Sequence, residues 1–163
     1  MLTALAMAAA LAAGAPEIPS AQFPNEEAVD PYTTSNANAG ATPFEGDEML
    51  KAFHGREGIG RVVDTMVDLN VADPQIGDFF RATDLVRLRR TLREQFCYVL
   101  NGGCDYTGRA MKETHKDQGT QNADFNRLVE NLQKAMDKEG VPFRAQNRFL
   151  AKLAPMQRAI VER

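Results

Sequence analysis

Four stretches of the sequence carry apolar residues at three- and four-residue intervals, and this spacing constrains the fold more than any other feature of the chain. In residues 57–69 the apolar positions fall on one face of a helix, with charged residues opposite. The same spacing recurs over residues 85–99, 125–136 and 143–161. No pattern typical of β-strands competes with it, so the sequence predicts an all-α domain.

The expected helix ends are marked by capping and breaking residues. Thr83 or Asp84 is suited to cap the second helix, and Asn122 or Asp124 is suited to begin the third. Pro155 interrupts the last helical pattern. Because proline lacks the N–H group that a helix interior needs, we expect a kink there.

The length and charge of the chain limit its possible partners. It has 163 residues, 44% of them apolar, and a formal net charge of −3 at pH 7. That size fits one soluble globular domain with an appendage. The mild acidity gives no electrostatic footprint for nucleic acid, and no apolar run reaches the roughly 20 residues that would cross a bilayer. Small molecules are therefore the expected partners.

The first part of the chain is expected to lie outside this domain. Residues 1–21 begin with an uncharged stretch rich in Leu and Ala, which predicts an apolar leader or signal peptide and export to the periplasm. The alternative is a short apolar helix, and the protein would be cytoplasmic if the leader is not cleaved. Residues 22–47 are rich in Pro, Ser, Thr and Asn without an apolar period, which predicts a disordered linker. The globular domain then covers residues 48–163.

A short helical segment carries the principal candidate for a metal ligand, His115. Met111 and His115 lie four residues apart and share a helix face, and Gly119 ends the segment. No carboxylate lies on that face within one turn, so the histidine is not placed to act as a catalytic base. From spacing alone, a metal ligand and a histidine packed in the core both remain open.

The segment Tyr-Thr-Gly-Arg-Ala-Met-Lys-Glu-Thr-His at residues 106–115 resembles the truncated haemoglobins of group I, as do the Phe79–Phe80 pair and the Gly-Val-Pro turn at 140–142. The resemblance extends over about residues 50–161. It implies a two-over-two helical sandwich around haem, with His115 as the proximal ligand of the iron. The second ring nitrogen of His115 is then expected to donate to a backbone carbonyl of its own helix.

The same resemblance implies a set of haem-lining residues from several helices. These are Met66, Val67, Phe79, Phe80, Leu88, Leu92, Phe96, Met111, His115, Phe125 and Leu132. The chain departs from its family on the distal side, where many group I members have a tyrosine at the position of Val67 and glutamines at those of Leu88 and Leu92. Losing these donors predicts a largely apolar pocket and weaker oxygen binding. Gln95, one turn beyond Leu92, is the candidate replacement donor, with a surface glutamine as the alternative.

The resemblance also implies a function, the reversible binding of a diatomic gas such as oxygen, nitric oxide or carbon monoxide. An unidentified reductase or electron donor is the implied protein partner. Ligand binding for carriage, storage or sensing involves no catalytic residue. Nitric oxide dioxygenase activity is one alternative, and a haem-free helical interaction module is another, in which the apolar stripes serve only the core.

Two further groups of residues have more than one interpretation. Cys97 and Cys104 bracket a turn with two glycines, and either a disulfide or two buried thiols would fit. The arginines within residues 87–93 flank an apolar stripe, so a solvated face is expected for them. A haem propionate is the alternative partner for one of these arginines.

Overall fold

The computed structural model describes residues 24–27 and 33–162, and every regular element within those residues is helical. The α-helices are α1 Glu48–Ala52, α2 Gly55–Ala72, α3 Gly77–Arg81, α4 Leu85–Val99, α5 Met111–Thr114, α6 Asn122–Lys138, α7 Phe143–Leu153 and α8 Gln157–Ile160. The all-α prediction is confirmed. None of the helices in the described ranges is long and apolar enough to cross a membrane. The predicted leader, residues 1–21, lies outside the described residues.

Four of these helices form two packed pairs. Helix α2 packs against α4, α6 packs against α7, and contacts between α2 and α6 join the pairs. The two-over-two arrangement implied by the sequence is therefore confirmed. Phe149 of α7 meets Phe53 and Phe96 edge-on, with ring centroids 5.0 and 4.9 Å apart, and all three rings are buried. Each such pair contributes about 0.5–1.5 kcal/mol beyond the area it buries.

The starts of α4 and α6 follow from their capping residues. The side chain of Asp84 accepts hydrogen bonds from the backbone N–H groups of Val86 (2.9 Å) and Arg87 (3.1 Å), so Asp84 rather than Thr83 is the cap. The side chain of Asp124 accepts from the backbone N–H of Gln121 at 3.0 Å. Both carboxylates satisfy N–H groups that the first helical turn leaves unpaired.

The last predicted helix is broken rather than kinked. Helix α7 ends at Leu153, a 3-10 turn covers Ala154–Met156, and α8 begins at Gln157. Pro155 lies within that turn, where its missing N–H costs less than it would inside an α-helix. The short helix α8 that follows the break contacts α5.

The disorder predicted for residues 22–47 is wrong for residues 33–47, which pack on the helices. The backbone N–H of Ser35 donates to the carbonyl of Tyr106 (2.7 Å), and that of Phe44 donates to the carbonyl of Val99 (2.8 Å). Ala39 is fully buried. These hydrogen bonds join residues far apart in sequence, so no local pattern of apolar residues indicates them.

Candidate functional site

A cavity of about 470 Å³ lies among α2, α4, α6, α7 and α8, with His115 on its wall. Most of the predicted lining residues are on this wall, namely Met66, Phe80, Leu88, Leu92, Phe96, Met111, His115, Phe125 and Leu132. Further apolar side chains complete it, including Leu128, Val129, Leu150, Leu153, Met156 and Ile160. A cavity of this volume and composition is typical of sites for small organic ligands.

A second, smaller cavity of about 140 Å³ adjoins the first. Phe79 lines this smaller cavity, together with Thr83 and Gln118. His115 and Phe80 are on the walls of both. His115 therefore lies on the shared wall of two adjoining, mostly apolar cavities.

The orientation of His115 is set by the end of α5. Its Nδ1 lies 2.8 Å from the carbonyl oxygen of Met111, four residues earlier. A carbonyl only accepts, so Nδ1 carries the proton and donates, which leaves the lone pair on Nε2. This is the bond to a backbone carbonyl that the sequence led us to expect. Neutral imidazole with a free Nε2 is the form of histidine that binds iron.

The other histidine of the chain is remote from this site. His54 precedes α2, is exposed, and its Nε2 lies 3.1 Å from the carbonyl oxygen of Glu139. It lines neither cavity. Within the described ranges, His115 is therefore the histidine available to a ligand in the cavity.

The position of Val67 differs from its predicted role. Val67 is fully buried in the core and is not among the described residues that line either cavity. Its neighbour Met66 lines the larger cavity, and so does Asn70, four residues later. Residues four apart share a helix face, so α2 presents Met66 and Asn70 to the cavity and turns Val67 into the core.

Gln95 is buried on the cavity wall, so the surface alternative is wrong. Its Nε2 donates to the carbonyl oxygen of Ala39 at 2.8 Å and lies near the sulfur atoms of Met111 (3.8 Å) and Met156 (3.7 Å). The donor expected to reach a distal ligand is thus hydrogen-bonded to the segment before α1.

The arginines within residues 87–93 form ion pairs with carboxylates, whereas the sequence predicted that they would simply face solvent. Arg89 pairs with Asp64 and Asp68, and Arg93 pairs with Asp64. Arg90 is buried, which contradicts the solvated-face prediction at this position. None of the arginines in residues 87–93 is among the residues described on the walls of the two cavities, so the walls give no support to a propionate contact.

The two cysteines are joined. Cys97 near the end of α4 forms a disulfide with Cys104, with Cα atoms 5.7 Å apart. Of the two interpretations that the sequence left open, the disulfide is the one present in the structure.

Comparison with known protein families gives a match over most of the chain. Residues 49–162 match the family model described as bacterial-like globin. Group 1 truncated haemoglobin GlbN of Mycolicibacterium paratuberculosis is 31% identical over 102 residues, which is 63% of this chain and 75% of that protein. Group 1 truncated haemoglobin LI410 of Chlamydomonas moewusii is 32% identical over 111 residues, which is 66% of this chain and 63% of that protein. The chain thus spans less than two thirds of the algal relative.

Solved structures match the fold. The Fe(III) form of truncated haemoglobin from Tetrahymena pyriformis has a TM-score of 0.67 at 22% identity, covering 71% of this chain and 98% of that one. THB1 of Chlamydomonas reinhardtii has a TM-score of 0.62 at 24% identity, covering 73% and 100%. At these identities the structures establish a common helical architecture.

Proposed function

The chain belongs to the bacterial-like globin family as a group I truncated haemoglobin, whose cofactor is haem iron, and on that premise we propose that it binds a diatomic gas reversibly at iron held by Nε2 of His115. The observation that carries the proposal is the 2.8 Å hydrogen bond from Nδ1 of His115 to the carbonyl of Met111, on the wall of an apolar cavity. That bond fixes the tautomer of the neutral imidazole, with the proton on Nδ1 and the lone pair of Nε2 free.

The residues of the cavity fit a haem group. Phe80, Phe96 and Phe125 offer flat aromatic surface to an apolar macrocycle, and the adjoining smaller cavity extends the space beyond His115. When bound, haem supplies an iron atom with one position open to a gas. The apolar side chains around it exclude water, which keeps competing reactions with solvent slow.

The apolar distal residues by themselves give no support to turnover. Leu88, Leu92 and Met66 offer no hydrogen bond to a ligand, and nitric oxide and carbon monoxide depend on such a bond less than oxygen does. Nitric oxide dioxygenase activity needs a long-lived oxygenated form, which these three side chains do not stabilise. The haem-free interaction module is set aside, because the family to which the chain belongs binds haem iron.

The test is the absorption spectrum of the haem-reconstituted full chain, with ferrous and carbon monoxide forms, for wild type and His115→Gly. We expect a sharp Soret band that shifts with carbon monoxide in the wild type, a weakened band in His115→Gly, and recovery on adding free imidazole. His54→Ala is the matched control, since His54 lies outside the cavity, and should resemble the wild type. A His115→Gly spectrum identical to wild type would show that another group holds the iron.

We also propose that the protein works in an oxidising compartment such as the periplasm, and that a reductase or other electron donor keeps its iron ferrous. The disulfide between Cys97 and Cys104 supports the first part, because such bonds persist outside the reducing cytosol. Rapid alkylation of thiols in intact cells tests it. Two alkylated cysteines in the native protein would contradict the proposed location.

A further inference from the structure

Asn70 is fully buried on the wall of the larger cavity, and one half of its side-chain amide is unpaired. Its Oδ1 accepts a hydrogen bond from Nδ2 of Asn131 at 3.0 Å. Its Nδ2 is buried and has no hydrogen-bond partner. A buried amide nitrogen without a partner is costly and rare in native proteins, so it indicates a group whose partner binds from outside the chain.

The orientation of the Asn70 amide is determined by a chain of hydrogen bonds. Nδ2 of Asn131 donates to Oδ1 of Asn70 and is also 3.4 Å from Oδ2 of Asp73. If the Asn131 amide were reversed, its oxygen would face two acceptors. The donor end of Asn131 must therefore face Asp73 and Asn70. It follows that Asn70 turns its oxygen to Asn131 and its Nδ2 away from it.

Asp73 is ionised and so acts only as an acceptor in this chain of contacts. Burial raises the pKa of the Asp73 carboxyl, but hydrogen bonds from the backbone of Gln75, from Asn131 and from the backbone of Ile76, with the charge of Arg127, lower it more. The resulting pKa is below its ordinary value. Nε of Arg127 lies 2.8 Å from the same carboxylate.

We propose that Nδ2 of Asn70 donates a hydrogen bond to the gaseous ligand in the cavity. The inference rests on the proposed haem site and adds a residue that determines which gas is retained. Asn70 shares its helix face with Met66, which also lines the cavity, whereas the family's tyrosine position is the buried Val67. The amide of Gln95 is already bonded to Ala39. Among the described residues on this wall, Asn70 is therefore the one with a buried side-chain donor that has no partner.

A donor at this position favours oxygen over carbon monoxide. Bound oxygen carries partial negative charge, so a hydrogen bond to it resembles one to an ionised group. The polar contact slows oxygen release and changes carbon monoxide release little. The selectivity of the cavity for oxygen would then depend on the side chain of Asn70.

The experiment compares reconstituted wild type with Asn70→Leu and Asn70→Asp, using two readouts. The first is the C–O stretching band of the ferrous carbon monoxide form, which falls in frequency when a donor points at the ligand. The second is the oxygen dissociation rate. Asn70→Leu removes the donor with a side chain of the same branched shape, and Asn70→Asp keeps the acceptor for Asn131 while replacing the NH2 group with oxygen.

Both variants are expected to raise the C–O frequency and to release oxygen about tenfold to a hundredfold faster. Gln75→Leu is the matched control, because it removes an exposed amide that lies outside both cavities and should shift neither readout. Unchanged band and rate in an Asn70 variant that binds haem normally would overturn the inference. Absence of a Soret band in the wild type would instead show that the proposed function itself is wrong.

Discussion

The carboxylate of Glu26 lies 2.8 Å from the guanidinium of Arg90, and both side chains are buried, 0% and 6% exposed. A carboxylate oxygen of Glu94 lies 2.7 Å from another nitrogen, Nη1, of the same guanidinium. Burial acts to lower the pKa of Arg90, but its bonds to Glu26 and Glu94 raise it more, so the pKa lies above its ordinary value. The pair joins the stretch before the helices to α4, the helix that presents Leu88 and Leu92 to the cavity.

Replacing Glu26 should therefore destabilise the domain. Glu26→Gln removes one partner of a buried ion pair, and we expect a loss of about 3 kcal/mol in the free energy of unfolding, because Glu94 still neutralises Arg90 in part. Urea denaturation of the reconstituted protein measures it. Glu48→Gln is the control, since its ion pair with Arg148 is exposed and should contribute little. Equal midpoints for the two variants would contradict the expectation.

The helices were predictable because their signals are local. The observed helix α2, Gly55–Ala72, extends only a few residues beyond the predicted 57–69. Pro155 correctly marked the place where the last helix is interrupted, although the interruption is a break and not the expected kink. Residues 33–47 were not predictable in this way. They are ordered by backbone hydrogen bonds such as Ser35 to Tyr106, which depend on the finished fold.

The site was predictable where the resemblance assigned a role to a single residue. It was less predictable where the rotation of a helix about its axis determines which side chains face the cavity. His115 and Met111 lie together as expected, since four residues make one helical turn. Met66 and Val67 were both expected on the wall, yet of these two residues Met66 lines the cavity and Val67 is turned into the core. Asn70 gave no sequence signal, because its free donor is defined by Asn131, on a different helix.

The disulfide should add measurable stability. Cys97 and Cys104 are separated by 7 positions. A disulfide that closes so short a loop stabilises the folded state by about 2–3 kcal/mol, because it reduces the conformational entropy of the unfolded chain. We expect dithiothreitol to lower the urea midpoint of the wild type accordingly. The double variant Cys97→Ser with Cys104→Ser should have the lower midpoint already and should not respond to reductant. A wild type that is equally stable with and without reductant would show that the bond contributes nothing.

Tyr106 should make stability depend on pH in the alkaline range. Its side chain is buried, its hydroxyl donates to the carbonyl of Arg109 at 3.2 Å, and burial together with the charge of Glu94 raises the pKa of Tyr106 to about 12. In the unfolded chain a tyrosine ionises near about pH 10. Between these values the unfolded chain has lost a proton that the folded protein keeps, so stability is full below about pH 10 and falls as pH rises.

The expected loss is of order 2 kcal/mol between about pH 10 and pH 12. Urea denaturation at several alkaline pH values measures it, and Tyr106→Phe is the control, because it cannot ionise. The difference in stability between the two proteins should narrow as pH rises. Parallel curves would mean that the phenol ionises alike in both states.

Gln95 should matter for the packing of the preceding segment more than for the ligand. Its Nε2 donates to the carbonyl of Ala39, a fully buried residue, at 2.8 Å. Gln95→Leu leaves that carbonyl without a partner, so we expect a loss of about 1–3 kcal/mol in the free energy of unfolding. Gln157→Leu is the matched control, since Gln157 is on the same wall but donates to exposed Asn122, which water can satisfy instead.

The oxygen dissociation rate then separates the two amides on the wall. In Gln95→Leu it should change far less than in Asn70→Leu, because the Gln95 donor is already directed at Ala39, whereas the Asn70 donor is unpaired. A large increase in oxygen release with unchanged stability would assign the distal hydrogen bond to Gln95, the replacement donor that the sequence first indicated. A loss of stability with an oxygen dissociation rate close to that of the wild type would show that Gln95 serves to attach residues 36–39 to α4.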